Sequence, residues 1–158
     1  MRRRRLVPLL VLPAAVGALL ATGSGASGQD PGSRTLTFTT APRGSTFTHI
    51  RNTPGSPRRA NTQGDVLAFR DLLLDASGAR AGDLGASCIT TRGARDFRKS
   101  VGVCTGIVAL RDGTIALQAA MRPNAVVTGA VTGGTGAYAN ARGVFTAGET
   151  QTTITLAP

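Results

Sequence analysis

The chain has 158 residues, enough for one domain with a modest core, and a formal net charge of +10. The charge raises nucleic acid as a partner, but the arginines are scattered, Lys99 is the lone lysine and aromatics make up only 4%. Few rings are left to stack bases, so no nucleic-acid partner is expected.

Residues 2–5 are four arginines, and Leu6 to Ala21 is apolar apart from Pro8, Pro13 and Gly17. A small, polar stretch, Thr22 to Gly28, follows. Basic head, short apolar middle and small-residue end describe a secretory signal peptide over residues 1–26, with cleavage after Ala26. The apolar run is shorter than the roughly 20 residues a bilayer span needs, so no stable membrane span is expected after cleavage. Paired arginines leave the export route open between the general and twin-arginine systems. Cleavage removes four arginines and no acid, lowering the charge from +10 to +6. Residues 27–34 are expected to be a flexible leader, and 35–158 the domain. The expected localisation is secreted, periplasmic or at the cell envelope.

Short β segments then follow one another. Thr35–Thr40 alternates Leu36 and Phe38 with threonines, and Ser45–Arg51 holds Phe47, Thr48 and Ile50. Residues 52–64, with Pro54, Gly55, Pro57 and Gly64, read as a long loop. Asp65–Leu74 leads into the turn Asp75-Ala76-Ser77-Gly78, where Asp75 reads as a turn former. Asp83–Thr91 and Ser100–Leu110 flank the polar loop Arg92–Lys99. Asp112-Gly113 is a hairpin turn signal. Thr114–Met121, Ala125–Thr132, Gly143–Ala147 and Thr150–Leu156 complete an all-β pattern that suggests a sandwich or barrel.

Each of two neighbouring strands carries one cysteine, Cys88 and Cys104. In an oxidising compartment this even pair reads as a disulfide, worth about 3 kcal/mol by loop closure. Pairing Cys88 with Cys104 places Ala86 opposite Gly106 and Leu84 opposite Val108, with the turn centred on Asp96. Register and bridge thus support one another. Along Thr114–Met121 one face is Ile115, Leu117, Ala119 and Met121; the other is Thr114, Ala116, Gln118 and Ala120. Two weakly polar faces suggest an enclosed lumen on one side and a covered or oligomeric surface on the other. Gln118 and Thr105 are polar groups whose side, lumen or exterior, parity leaves open.

Residues 133–143 read Gly-Gly-Thr-Gly-Ala-Tyr-Ala-Asn-Ala-Arg-Gly. This segment resembles the GGTG-x-[YF]-x-x-ARG motif of the allene oxide cyclase barrel-like and dirigent-like proteins. Gly64-Asp65, Phe69, Asp75-x-x-Gly78, Gly82, the two cysteines, Leu110-x-x-Gly113-x-Ile115 and Ala130-Val131-Thr132 follow the same order. The likeness spans roughly residues 35–156 and points to a bacterial secreted member. It implies a calycin-like, eight-stranded antiparallel β-barrel with a central pocket, and a homotrimer as the assembly.

The resemblance also supplies candidate residues. An arginine at the position of Arg142 belongs to the ligand site of dirigent proteins, where it would orient a carboxylate or stabilise developing negative charge; a loop-fixing salt bridge is the structural alternative. Asp71 lies near a pocket aspartate, although plant members carry two neighbouring aspartates where this chain has Arg70-Asp71. Pairing with a nearby arginine is the structural alternative for Asp71. The candidate ligand-binding residues are Phe69, Asp71, Gln118, Tyr138 and Arg142; Asp71 and Arg142 are also the catalytic candidates. Within the glycine motif, a tight turn closing the barrel with Tyr138 as a plug is preferred to direct ligand contact. Gly134-x-Gly136-x-x-Ala139 is not a dinucleotide fingerprint, because no helix, parallel strand or distant acid follows.

His49 is the sole histidine, no G-x-S-x-G elbow occurs, and no metal or cofactor is called for. The expected partner is a small, largely apolar molecule bound in the lumen. Without an evident catalytic set, simple ligand binding stands ahead of its alternative, an isomerase or cyclase guiding stereoselective cyclisation or coupling. Whether the chain is an enzyme stays open at this point.

Overall fold

The computed structural model describes residues 32–58, 60–123 and 126–158. The expected signal peptide over 1–26 and residues 27–31 of the expected leader lie outside the described residues.

The described chain forms nine strands. They are β1 (Arg34–Thr40), β2 (Thr46–Ile50), β3 (Val66–Leu74), β4 (Arg80–Arg92), β5 (Val101–Leu110), β6 (Gly113–Met121), β7 (Val127–Gly134), β8 (Gly143–Ala147) and β9 (Gln151–Leu156). Two single 3₁₀ turns, Phe97–Lys99 and Gly136–Tyr138, interrupt them. All pairings are antiparallel, in the order β1-β9-β8-β7-β6-β5-β4-β3-β2. The sheet closes because the end of β1 also pairs with β3, Thr40 with Leu73. Beyond a short bend the chain continues along the same edge of β3 as β2, with Phe47 opposite Phe69. Strands β1 and β2 therefore occupy one position, and the ring is an eight-stranded antiparallel barrel.

The anticipated cysteine register holds as far as Thr90, beyond which it shifts by one residue: Cys88 pairs with Cys104, Ala86 with Gly106 and Leu84 with Val108. A disulfide joins the two cysteines, with Cα atoms 4.0 Å apart. Strand β7 is displaced toward the C-terminus of its expected span, ending at Gly134 rather than Thr132. A register shift between Ala116 and Leu117 lets Gly133 and Gly134 stay paired with β6. Gly134 is needed there, since a Cβ would lie 2.3 Å from the Tyr138 carbonyl oxygen and 2.5 Å from that of Thr114.

Period-two alternation sends one face of every strand inward. At one end this face forms the core: Phe38, Leu73, Val108, Ile115, Val131, Tyr138, Ile154 and Leu156 are buried together. Asp75 ties the adjacent β3–β4 turn, its carboxylate accepting from Ser77 N–H at 2.8 Å and Ala79 N–H at 3.0 Å. The outward face of β4–β6 carries the uncharged Ser87, Ile89, Val103, Thr105, Ile107 and Gln118 at its middle, and the charged Asp83, with Arg70 and Arg80, nearer one end. Among the described residues no helix is long and apolar enough to cross a membrane.

Candidate functional site

The other half of the barrel is hollow. Its inward positions include the small residues Ala86, Gly106, Ala119 and Ala147, which leave a cavity of about 710 Å3 opening at the end opposite the packed core. Leu67, Leu84, Leu117, Val127 and the Cys88–Cys104 bridge line it, together with Phe47, Phe69, Phe97 and Phe145. A volume of this size suits a small organic molecule.

Each wall residue owes its place to register. Phe69 and Asp71 follow Leu67 at two-residue intervals on the inward face of β3, with Leu73, fully buried, as the next step into the core. Asp71 stands opposite Leu84 of β4 and is half-buried on a mostly apolar wall that also includes the buried Thr152. Among the described residues its carboxylate accepts no side-chain hydrogen bond and joins no ion pair. The adjacent Arg70 points outward and binds Asp83 at 2.5 Å, which Arg80 also binds at 2.7 Å. These contacts, led by the Arg80 hydrogen bond, hold the Asp83 carboxyl below its ordinary range. Among the described residues, the pairing of Asp71 with a neighbouring arginine, weighed from sequence, is therefore absent.

The remaining candidates are not gathered with these two. Gln118 faces the exterior, opposite Thr105 on β5, because the inward parity of β6 belongs to Leu117 and Ala119. Tyr138 is buried in the packed end, 5% exposed, with the Arg34 guanidinium 5.5 Å from its ring centroid. Arg142 is exposed beyond that end; its Nη1 donates to the Ala141 carbonyl at 2.8 Å and forms no salt bridge. The glycine motif thus closes the barrel: Gly136 has φ +60° and packs against the Asp112 backbone.

Sequence reasoning missed the rim. Phe47 comes from β2, Phe97 and Arg98 from the β4–β5 turn, Met121 and Arg122 from the end of β6, and Glu149 from the β8–β9 turn. Cross-strand pairing with Phe69 was the available signal for Phe47. The rim loops are tied together. Asn61 and Ala94 exchange backbone hydrogen bonds at 2.9 and 3.0 Å, and Asn61 Nδ2 donates to Ser100 Oγ at 3.0 Å. Asp65, fully buried, accepts from Asn52 N–H at 2.7 Å, Thr62 N–H at 2.9 Å and Thr62 Oγ1 at 2.8 Å, and lies 3.0 Å from His49 Nε2. Burial alone would raise the Asp65 carboxyl pKa; these donors outweigh it and hold the group well below its ordinary value. Among the described residues no three His, Cys, Asp or Glu side chains converge as metal ligands.

Similarity to known proteins agrees with this geometry. The allene oxide cyclase barrel like domain is matched over residues 45–157. A pyocyanin demethylase structure is 23% identical with a TM-score of 0.60, over 79% of this chain and 99% of that one. A pterocarpan synthase dirigent protein is 17% identical with a TM-score of 0.54, over 78% and 81%. The Diels Alderase AbmU from Streptomyces koyangensis is 12% identical with a TM-score of 0.52, over 79% and 63%. The search among curated proteins gave no match. At these identities the structural likeness speaks for the fold alone, whereas the domain match covers most of the sequence. A closed eight-stranded barrel with a hollow end and the matched domain together place the chain in the allene oxide cyclase barrel-like family.

Proposed function

We propose that the protein is exported and takes a small, largely apolar ligand into its lumen through the end rimmed by Phe47, Phe97 and Met121. The observation that carries this is the cavity of about 710 Å3, whose mostly apolar inner wall holds the unpaired Asp71 carboxylate as its one charged group away from the rim, with Thr152 as a further polar side chain. Apolar walls supply binding by burial, and the half-buried Asp71 acceptor fixes orientation by taking a hydrogen bond from the ligand. Phe69 and Asp71 are the contacts retained from the sequence candidates. The leader pattern and the disulfide support export.

The same carboxylate favours a second reading, cyclisation or isomerisation of the bound molecule. Confinement holds a reactive conformer, and Asp71 takes up a proton or steadies developing positive charge. A homotrimer, docked through the uncharged middle of the outer wall around Ile89, Val103 and Ile107, belongs to this proposal, and sedimentation of the purified protein tests it.

The ligand-binding experiment is titration with neutral phenylnaphthylamine, whose fluorescence rises in apolar surroundings. The protein should bind it, and Ala119→Trp, which fills the lumen, should abolish binding with the β-sheet circular dichroism retained. Unchanged binding by that variant would refute the lumen as the site. Mass spectrometry of molecules carried by protein from the secreted fraction, before and after incubation, separates retention from turnover.

A further inference from the structure

We infer that the lumen selects an aromatic molecule bearing an anionic substituent, with its rings inside the barrel and its anion at the rim between Arg98 and Arg122. This rests on the ligand-binding reading above and adds the chemical class of the ligand.

The rings come first. The chain is poor in aromatics, with five phenylalanines, one tyrosine and no tryptophan. Four of those phenylalanines, Phe47, Phe69, Phe97 and Phe145, line this one cavity, while Phe38 lies in the packed core. Phe145 lies tight against β7, where Gly129 makes room: a Cβ at Gly129 would sit 2.5 Å from the ring. Phe47 is 59% exposed and Phe97 38%, an expensive placement for phenylalanine unless something covers them. Met121 and the disulfide add polarisable sulfur to the same wall. Edge-to-face and offset contacts with such a wall favour a flat aromatic over an aliphatic chain.

The charge comes second. Several arginines elsewhere are already engaged: Arg51 with the carbonyls of Ser56, Pro57 and Arg58, Arg70 and Arg80 with Asp83, Arg142 with Ala141. Among the described residues neither Arg98 nor Arg122 donates a side-chain hydrogen bond or joins a salt bridge, and both line the cavity rim. Arg98 is displayed by a pinned turn: Asp96 caps its N–H at 3.1 Å, and Ser100 N–H returns to Phe97 O at 3.0 Å. Glu149 is the opposing rim charge, one against two. Asp71, deep inside, repels an anion and so orients the guest with its charge outward. Guanidinium forks are suited to carboxylate, sulfonate or phosphate oxygens.

The test uses two dyes with the same rings, anilinonaphthalene sulfonate and neutral phenylnaphthylamine. The sulfonate should bind about tenfold tighter at low salt. Arg98→Gln and Arg122→Gln should each weaken it roughly threefold to tenfold and leave the neutral dye within about twofold. Glu149→Gln should strengthen the sulfonate. Naphthoate should displace it at about one tenth of the decanoate concentration, since both are monocarboxylates and only one is aromatic. Equal affinity for the two dyes, or equal loss of both in the arginine variants, overturns the anion site. Equal displacement by decanoate overturns the aromatic preference. Failure of both dyes to bind, or binding that survives Ala119→Trp, overturns the lumen reading itself and this inference with it.

Discussion

Phe47 of β2 and Phe97 of the β4–β5 turn meet at the open rim, their ring centroids 6.4 Å apart and their planes tilted by 37°. The strand order β4-β3-β2 and the Asn61–Ala94 bridge, which ties the β2–β3 loop to this turn, bring the rings together. Because both rings are substantially exposed, Phe47→Ala should leave stability nearly unchanged. It removes one side of the rim, so affinity for the neutral dye should fall roughly fivefold, the equivalent of about 1 kcal/mol. Urea unfolding and dye titration of the same sample check both halves. A large stability loss would show that the pair serves folding instead.

The Cys88–Cys104 bridge joins register partners on β4 and β5, 16 residues apart in sequence. Closing that loop in the unfolded chain should contribute about 3 kcal/mol. A Cys88→Ala, Cys104→Ala double variant should lose that amount in urea unfolding and keep its barrel spectrum. Free thiols in material recovered from the secreted fraction would contradict the pairing.

Gly136 and Gly78 both have positive φ, +60° and +80°, so alanine is strained at either. They differ in surroundings. A Cβ at Gly78 meets nothing within 4 Å, whereas at Gly136 it would lie 2.2 Å from the Asp112 carbonyl oxygen. Gly78→Ala should cost about 1 kcal/mol, and Gly136→Ala clearly more, about 3 kcal/mol. Equal thermal shifts would refute the closing role assigned to the glycine motif.

Asp65 anchors the β2–β3 loop through donors from Asn52, Thr62 and His49, and its carboxyl is held below the ordinary value of 3.8. A depressed acid stabilises the fold above its unfolded pKa, and that contribution is lost as pH falls from about 4 toward the folded value. Asp65→Asn should therefore destabilise the protein at neutral pH, by about 2–3 kcal/mol, and flatten the fall in stability below pH about 4. Unfolding midpoints measured across that range decide it. An unchanged acid slope would assign the pH response to other carboxylates.

The barrel was legible because its signals are local or pairwise. Alternation marks a strand from its own residues, and one bridge between Cys88 and Cys104 fixes the pairs of β4 and β5 from Gly82–Leu110 to Thr90–Gly102. The rim was not, because Phe47, Phe97, Arg98 and Arg122 come from three separate elements that only the folded barrel gathers at one end. Gln118 shows the complementary difficulty. Both faces of its strand are only weakly polar, so the alternation reveals two faces without saying which encloses the cavity. Tyr138 and Arg142 drew attention through a conspicuous motif whose Gly134, Gly136 and Gly143 meet backbone, not the lumen.

Asp71 is the position where function and stability should diverge. A half-buried carboxylate among Phe69, Leu84 and Leu117, with no partner among the described side chains, costs solvation and gains no hydrogen bond in return. Asp71→Leu replaces it with a side chain of similar reach and apolar character. The variant should unfold at an equal or higher temperature, a gain of up to about 1 kcal/mol, as expected where a site is kept at the expense of stability. Asp71→Asn retains the shape and accepts hydrogen bonds without charge. It should preserve binding of a ligand that donates a hydrogen bond but abolish any turnover that needs a proton acceptor. Calorimetry on the three proteins supplies the stability order, and the molecules recovered with each supply the binding order. If Asp71→Leu melts well below the native protein, the carboxylate is part of the framework, and the ligand's polar contact must lie elsewhere on the wall.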